Sequence, residues 1–178
     1  MRLLITGASG FIGSAFVRHA LRMTEHHIVG LIRDTDQRNK NRLHGYEQHE
    51  RLRLVKGDLL GDISGICEGI DAVVNFAART FVDHSIRDVL PFIEANVMGA
   101  YRILEDARRQ GVKRFIQIST DEVYGSILNG AYSEDARLNP TNHYSASKAG
   151  ADAAIIRHAA ASPLMREASS WARLSARL

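Results

Sequence analysis

The chain has 178 residues, of which 45% are hydrophobic and 24% charged, and its formal net charge is +3. This size and composition predict one soluble globular domain with a substantial core, and they exclude a membrane span because no window approaches about 18 apolar residues. The basic residues are not clustered with aromatic ones, which argues against nucleic-acid binding, and the one cysteine, Cys67, excludes an internal disulfide and suits the cytoplasm.

The amino-terminal segment predicts a phosphate-binding turn between a strand and a helix. Residues 2–6 form a short apolar run, residues 14–23 have helical spacing, and a G-x-x-G-x-x-G pattern lies between them. Such glycines allow a tight turn and close approach of a phosphate, and the helix N-terminus offers N–H groups to it. We therefore predict dinucleotide binding by Gly7, Gly10, Phe11, Ile12 and Gly13.

The second and third predicted strands, residues 28–32 and 52–55, are each followed by charged residues. An acidic residue after the second strand usually bonds the ribose 2′-OH of NAD, so Asp34 could take that role, whereas Arg33 could meet the 2′-phosphate of NADP. Asp58, with Leu59 beside it, could accept a hydrogen bond from the adenine amino group. The alternative is that these charges are solvated loop or capping residues.

A nearly continuous apolar run at residues 71–78 predicts a fourth strand covered on both faces. Its small end, Ala77 and Ala78, leaves room for a flat cofactor. Residues 79–86 are polar and predict a loop. Residues 89–110 have helical spacing, contain the polar Asn96 as a further candidate for cofactor binding, and end before Gly111.

The fifth predicted strand, residues 114–119, ends on Thr120, Asp121 and Glu122, where an open parallel sheet places its chemistry. The alternative for the two carboxylates is a helix-entry pair. A helix over 143–158 then carries Tyr144 and Lys148 on one face, four residues apart. Because an ammonium lowers the pKa of a nearby phenol, Tyr144 is a candidate acid/base.

Alternation of strands and helices predicts an α/β fold with a doubly wound parallel sheet. The motifs resemble the extended short-chain dehydrogenase/reductase family and, within it, the nucleotide-sugar 4,6-dehydratases of the dTDP-glucose type. The resemblance covers about residues 1–155. It rests on residues 7–13, 75–78, 82–86, 96–100, 119–125 and 144–149.

The resemblance implies a Rossmann fold, NAD (with NADP as the alternative), a nucleotide-sugar substrate, a homodimer and no metal. Tyr144 would take the proton of the sugar 4-hydroxyl while hydride moves from C4 to the nicotinamide, and Thr120 would hydrogen-bond that oxygen. Lys148 would lower the pKa of Tyr144 and bind the nicotinamide ribose. Glu122 would remove the C5 proton and Asp121 would protonate the departing C6 hydroxyl, after which hydride returns to C6.

The chain departs from the family pattern at residues 79–81, at residue 84, at the end of the second strand, where the acidic residue is absent, and at its carboxyl end. Residues 79–81 read Arg-Thr-Phe where relatives have Glu-Ser-His, and His84 stands where arginine is usual. Residues 161–178 show neither a sixth strand nor a substrate domain, so we expect a cofactor-binding domain over 1–160, about five strands, and an aberrant or truncated tail. The alternatives to a dehydratase are an inactive cofactor-binding fragment and an NAD-dependent epimerase.

Overall fold

The computed structural model describes residues 1–33, 42–127, 129–133, 135–161 and 167–170. Within these residues, one sheet contains β1 (Arg2–Thr6), β2 (His27–Ile32), β3 (Leu52–Lys56), β4 (Ala72–Asn75), β5 (Arg114–Gln117) and β6 (Glu167–Ser170). The helices are α1 (Phe11–Met23), α2 (Val82–Arg87), α3 (Leu90–Phe92), α4 (Gly99–Arg109) and α5 (His143–Ala161). A π-helical segment, Ile93–Met98, joins α3 to α4.

All the strand pairs are parallel, and the order across the sheet is β3-β2-β1-β4-β5-β6. The chain proceeds outward from β1 to β3 and then crosses back to β4, which lies on the other side of β1. The carboxyl ends of β1 and β4 therefore border the crevice in which such sheets bind their ligands. The predicted doubly wound parallel sheet of the Rossmann type is confirmed.

The core forms two layers because successive side chains of a strand point to opposite faces of the sheet. Leu3 and Ile5 of β1 join one buried cluster, which includes Val17 and Leu21 of α1. Leu4 joins the other cluster, which contains these buried residues of α4 and α5: Ala100, Ile103, Leu104, Ala107, Ala151 and Ile155. The sheet is thus covered on both faces, and its polar chemistry is confined to the strand ends.

Two sequence-based expectations are wrong. Residues 79–86 were expected to form a loop, but α2 occupies Val82–Arg87. Its six residues are too few for a clear helical period. The sixth strand, expected to be missing, is present as β6 and pairs with β5 from Arg114↔Glu167 to Gln117↔Ser170. Its Glu-Ala-Ser-Ser sequence has no apolar run, and its position is decided by the free edge of β5.

The predicted boundary at residue 160 falls at the end of α5, and β6 beyond it belongs to the same sheet. Residues 162–166 and 171–178 lie outside the described residues. None of the helices in the described part of the chain is long and apolar enough to cross a membrane.

Candidate active site

The turn between β1 and α1 leaves no space for a side chain at two of its glycines. Gly7 has a φ of +62°, and a Cβ there would lie 2.9 Å from the backbone nitrogen of Ala77. A Cβ on Gly13 would lie 2.3 Å from the carbonyl oxygen of Gly7. Glycine removes both clashes, so the first turn of α1 lies directly against the sheet edge. This cradle fits a pyrophosphate, which needs close backbone approach and a helix N-terminus.

The carboxyl ends of β2 and β3 carry Arg33 and Asp58, whose Nη1 and Oδ2 atoms are 3.9 Å apart. Their side chains are 55% and 48% exposed, so this ion pair adds little stability and both groups are accessible to a ligand. Leu59 is instead buried and packs beside Gly99 of α4. Asp34 lies outside the described residues. The structure therefore brings together Arg33 and Asp58 of the four residues predicted to bind the adenosine half.

A buried polar network joins the carboxyl ends of β1, β4 and β5. Thr6 Oγ1 donates to Asn75 Oδ1, and Asn75 Nδ2 donates to Gln117 Oε1 at 2.7 Å. Thr6 Oγ1 also accepts a hydrogen bond from the backbone nitrogen of Ala77 at 3.1 Å. Because these side chains are buried, water cannot replace the bonds. The network fixes the floor of the crevice.

The acidic pair lies in a short 3₁₀ turn, Asp121–Tyr124, directly after β5. Thr120 Oγ1 accepts a hydrogen bond from the backbone nitrogen of Glu122 at 3.3 Å and lies 3.2 Å from Asp121 Oδ1, to which it donates. Gly125 ends the turn with a φ of +92°. Asp121 is exposed, whereas Glu122 is half-buried. The adjacent carboxylates therefore have different surroundings, as an acid and a base on one substrate require.

Asn142 connects this turn to α5. Its Oδ1 accepts from the backbone nitrogen of Ser145 at 2.8 Å, and Ser145 Oγ accepts from the backbone nitrogen of Asn142 at 3.2 Å, which is a reciprocal helix cap. Asn142 Nδ2 donates to Glu122 Oε2 at 2.9 Å. The backbone nitrogen of Tyr144 donates to Ser85 Oγ of α2 at 3.2 Å. These bonds hold the start of α5 against both the acidic turn and α2.

The pKa of the Tyr144 phenol is raised above its ordinary value of 10.0. Burial is the largest cause, and the Glu122 carboxylate adds to it because a nearby negative charge disfavours the phenolate. A hydrogen bond with the Thr120 side chain acts in the opposite direction. The sequence predicted a pKa lowered by Lys148, and that prediction is wrong for this structure.

Lys148 is buried, and its Nζ donates to the carbonyl oxygen of Ile118 at 2.6 Å. Burial lowers the pKa of Lys148 to about 8, while the carboxylate of Asp152 acts in the opposite direction. The ammonium therefore bonds to the backbone at the end of β5.

Asn96 is buried within the π-helical segment, and its side chain bonds to protein groups. Its Oδ1 accepts from the backbone nitrogen of Arg79 at 2.7 Å, and its Nδ2 donates to the Arg79 carbonyl at 3.0 Å and to Ser147 Oγ at 2.8 Å. Asn96, which was predicted to bind a cofactor, therefore connects the segment after β4 to α5 by hydrogen bonds.

The family model described as GDP-mannose 4,6 dehydratase matches residues 4–168. This chain belongs to that family. It is 44% identical over 154 residues to the low-salt glycan biosynthesis protein Agl12 of Haloferax volcanii, a match that covers 85% of this chain and 50% of that protein. The chain spans about half the length of the curated relatives it matches.

Solved structures of two nucleotide-sugar enzymes have the same fold as this chain. DesIV, a dTDP-glucose 4,6-dehydratase from Streptomyces venezuelae solved with NAD and TYD, is 37% identical with a TM-score of 0.85, over 96% of this chain and 55% of that one. The UDP-glucuronic acid 4-epimerase of Bacillus cereus, solved with UDP-glucuronic acid and NAD, is 30% identical with a TM-score of 0.84, over 91% and 53%. The predicted resemblance is confirmed.

In this member of the GDP-mannose 4,6 dehydratase family, the structure brings Thr120, Glu122 and Tyr144 together. Lys148 is buried beside them and bonds to the carbonyl oxygen of Ile118. Sequence reasoning missed the residues that support this set, which are Ser85, Ser119, Asn142, Ser145 and Asp152. Two of them could have been found from the sequence. Asn142 directly precedes a helical pattern and is followed three residues later by Ser145, and Asp152 follows Lys148 at the i+4 position.

Proposed function

We propose that the protein is an NAD-dependent nucleotide-sugar 4,6-dehydratase and that this chain supplies its cofactor-binding and catalytic half. The observation that carries the proposal is the acidic turn: Asp121 and Glu122 follow Thr120 at the carboxyl end of β5, and Glu122 is hydrogen-bonded to the cap of the helix that carries Tyr144. Family membership and the NAD-containing structure of DesIV support it.

The crevice has suitable groups for each part of the cofactor. The glycine cradle would hold the pyrophosphate, Arg33 and Asp58 would contact the adenosine, and Lys148 would bind the nicotinamide ribose. When bound, NAD supplies an acceptor that takes a hydride from the sugar and returns it. Since Arg33 is exposed, NADP is the alternative dinucleotide.

Tyr144 would accept the proton of the sugar 4-hydroxyl, and Thr120 would hydrogen-bond the same oxygen. Because the pKa of Tyr144 is raised, this step requires a lower pKa in the ligand-bound site. The Lys148 ammonium, one turn along the same face of α5, would lower it there.

Glu122 would remove the proton from C5, which the new 4-keto group acidifies. The electron pair of that C–H bond would form the C5–C6 double bond, and the C6 hydroxyl would leave as water with a proton from Asp121. When a hydride returns to C6, the electron pair would go back to C5, and Glu122 would return its proton there. The hydrogen bond from Asn142 holds one oxygen of Glu122, so the carboxylate has a fixed orientation. Asp121 is exposed and can recover its proton from solvent.

A C4 epimerase is the second candidate, favoured by the matched epimerase from Bacillus cereus. Epimerisation needs the Tyr144 and Lys148 chemistry but no acid and base for C5 and C6. The Asp121–Glu122 pair would then have no function, which is why the dehydratase is preferred. The third candidate function is cofactor binding without turnover.

The test compares the chain alone with a chimera that joins it to the carboxyl-terminal half of DesIV. Each is incubated with NAD and with dTDP-, UDP- or GDP-sugars, and the 4-keto product is followed by its absorbance in alkali. We expect the chain alone to bind NAD without forming product, and the chimera to form it. Tyr144→Phe and Glu122→Gln should abolish the product. A C4 epimer that survives Glu122→Gln would identify an epimerase instead.

We also propose that the protein is a cytoplasmic homodimer. Four large side chains of the helix that runs from α3 to α4 are exposed: Leu90, Ile93, Met98 and Tyr101. A second copy of the chain could cover them by pairing its own helices across a two-fold axis. A monomer in light scattering at tens of micromolar would contradict this assembly.

A further inference from the structure

We propose that Asp152 is a positioning residue for the acidic turn: from α5 it anchors the segment that leads into the turn and keeps the Lys148 ammonium charged. What the turn does rests on the proposed function, but the anchoring itself rests on contacts within the chain. Asp152 is not among the residues that would touch the sugar or the cofactor.

The anchoring uses two consecutive residues at the end of β5. Ser119 Oγ donates to Asp152 Oδ2, and Lys148 Nζ donates to the carbonyl oxygen of Ile118 at 2.6 Å. Lys148 and Asp152 lie one turn apart on the same face of α5. Two side chains of one helix therefore hold the backbone and side chain immediately before Thr120, which begins the acidic turn. A small shift of α5 would move the turn with it.

The second role of Asp152 follows from burial. Lys148 is 3% exposed and Asp152 is 2% exposed, and a buried charge is costly unless an opposite charge accompanies it. Burial lowers the pKa of Lys148 to about 8, and Asp152 is the group that opposes this shift. Among the described residues, the titratable groups that act on Tyr144 from outside α5 are Asp121 and Glu122.

Removal of the Asp152 charge should therefore reduce the charged fraction of Lys148 near neutral pH. A neutral Lys148 could not favour the Tyr144 phenolate, because that effect depends on its positive charge. Asp152 would thus influence the proton transfer at Tyr144 without contacting the substrate. A merely structural carboxylate would affect stability and leave the titration of Lys148 unchanged.

The experiment measures the titration of Lys148 directly in the full chain. The sequence contains four lysines, so side-chain carbon-13 labelling of lysine gives few NMR signals, and Lys148→Arg assigns one of them. Asp152→Asn keeps the shape and can still accept from Ser119. We expect it to lower the Lys148 midpoint by about one pH unit, because the carboxylate that opposes the effect of burial is lost. Asp152→Glu, which restores the charge, should bring the midpoint back toward 8.

The matched control is Asp106→Asn, which changes another buried carboxylate. Asp106 lies on α4 and accepts from the backbone nitrogens of Gly65 and Cys67, each at 2.9 Å. This variant should lose stability while the Lys148 midpoint stays in place. An unchanged midpoint in Asp152→Asn would overturn the electrostatic role.

Ser119→Ala tests the anchoring separately, since it removes the hydrogen bond and keeps the charge. Amide hydrogen exchange across residues 118–125 should become about tenfold faster, as expected for loss of one hydrogen bond to a charged group. Unchanged exchange would overturn the anchoring role. If Asp152→Asn does not fold, the exchange measurement on Ser119→Ala tests the proposal by itself. None of these measurements needs cofactor or sugar. If the DesIV chimera forms no 4-keto product, the proposed function is rejected, but the result for Asp152 still stands.

Discussion

The two sides of the crevice are built in opposite ways. At the end of β1, the site is made of backbone, and it depends on the absence of side-chain atoms at Gly7 and Gly13. At the end of β5, the site is made of side chains, and it depends on hydrogen bonds and charges among Glu122, Asn142 and Lys148. The first side is therefore specified by shape and the second by polar partners.

This difference determines how each side responds to change. A steric clash in a tight backbone turn is costly to relieve, because the carbonyl of Gly7 cannot move unless the end of β1 moves with it. A lost charge or hydrogen bond on the β5 side leaves the fold in place and alters pKa values and orientation. Mutations should thus act on folding and binding at β1, and on chemistry and pH dependence at β5.

The largest effect is expected for Gly13→Ala. The new Cβ would lie 2.3 Å from the Gly7 carbonyl oxygen, so α1 must move away from the sheet edge. We expect a loss of about 3 kcal/mol in the free energy of unfolding and no detectable NAD binding by calorimetry. Gly150→Ala is the control, since its Cβ would be 3.5 Å from Val97 Cγ2 and alanine favours the helix. Normal NAD binding by Gly13→Ala would refute a shape-defined cradle.

The next effect concerns Arg33, an exposed cation after β2 at the adenosine end of the cradle. If Arg33 meets a 2′-phosphate, Arg33→Ala should weaken NADP binding by roughly 1–3 kcal/mol, the loss of a charge-assisted hydrogen bond, and leave NAD unchanged. Arg53→Ala removes an exposed arginine of β3 and should change neither affinity. Equal losses for both dinucleotides would remove the phosphate interpretation.

Asn142 separates folding from chemistry on the β5 side. Asn142→Ala removes both the cap of α5 and the donor to Glu122, and it should cost about 1 kcal/mol of stability in denaturant unfolding. Asn142→Ser keeps a capping oxygen but lacks the amide N–H that reaches Glu122, so its stability should be close to wild type. In the DesIV chimera, both variants should form the 4-keto product about tenfold more slowly, since both lose the hydrogen bond to Glu122. A wild-type rate for Asn142→Ser would show that this bond does not orient the carboxylate.

The smallest effect is a shift in titration without loss of fold. The raised pKa of Tyr144 means that, above pH 10, the unfolded chain releases this proton before the folded one, so stability falls as the pH rises. Glu122→Gln removes a negative charge that contributes to the shift. The phenolate absorbance assigned by difference with Tyr144→Phe should then appear at lower pH, and the alkaline loss of stability should become smaller. An unmoved absorbance midpoint would separate Glu122 from Tyr144.

The sequence predicted the central strands and the glycine turn well because these depend on local signals. The apolar run of residues 2–6 and the spacing of Gly7, Gly10 and Gly13 are sufficient for β1 and the turn. The sequence did not predict α2 or β6. A short helix has too few residues to show a period, and β6 is placed by pairing with β5, a contact that no local pattern encodes.

At the site, the sequence by itself determined which reactive groups are present. The Thr120, Asp121 and Glu122 run, together with Tyr144 and Lys148 four residues apart, identified the family from residue types and spacing. The tertiary structure alone decided the protonation and support of these groups. Burial and neighbouring carboxylates depend on contacts between segments far apart in the chain, so the raised pKa of Tyr144 and the bonds from Asn142, Ser119 and Asp152 could not be seen in the sequence.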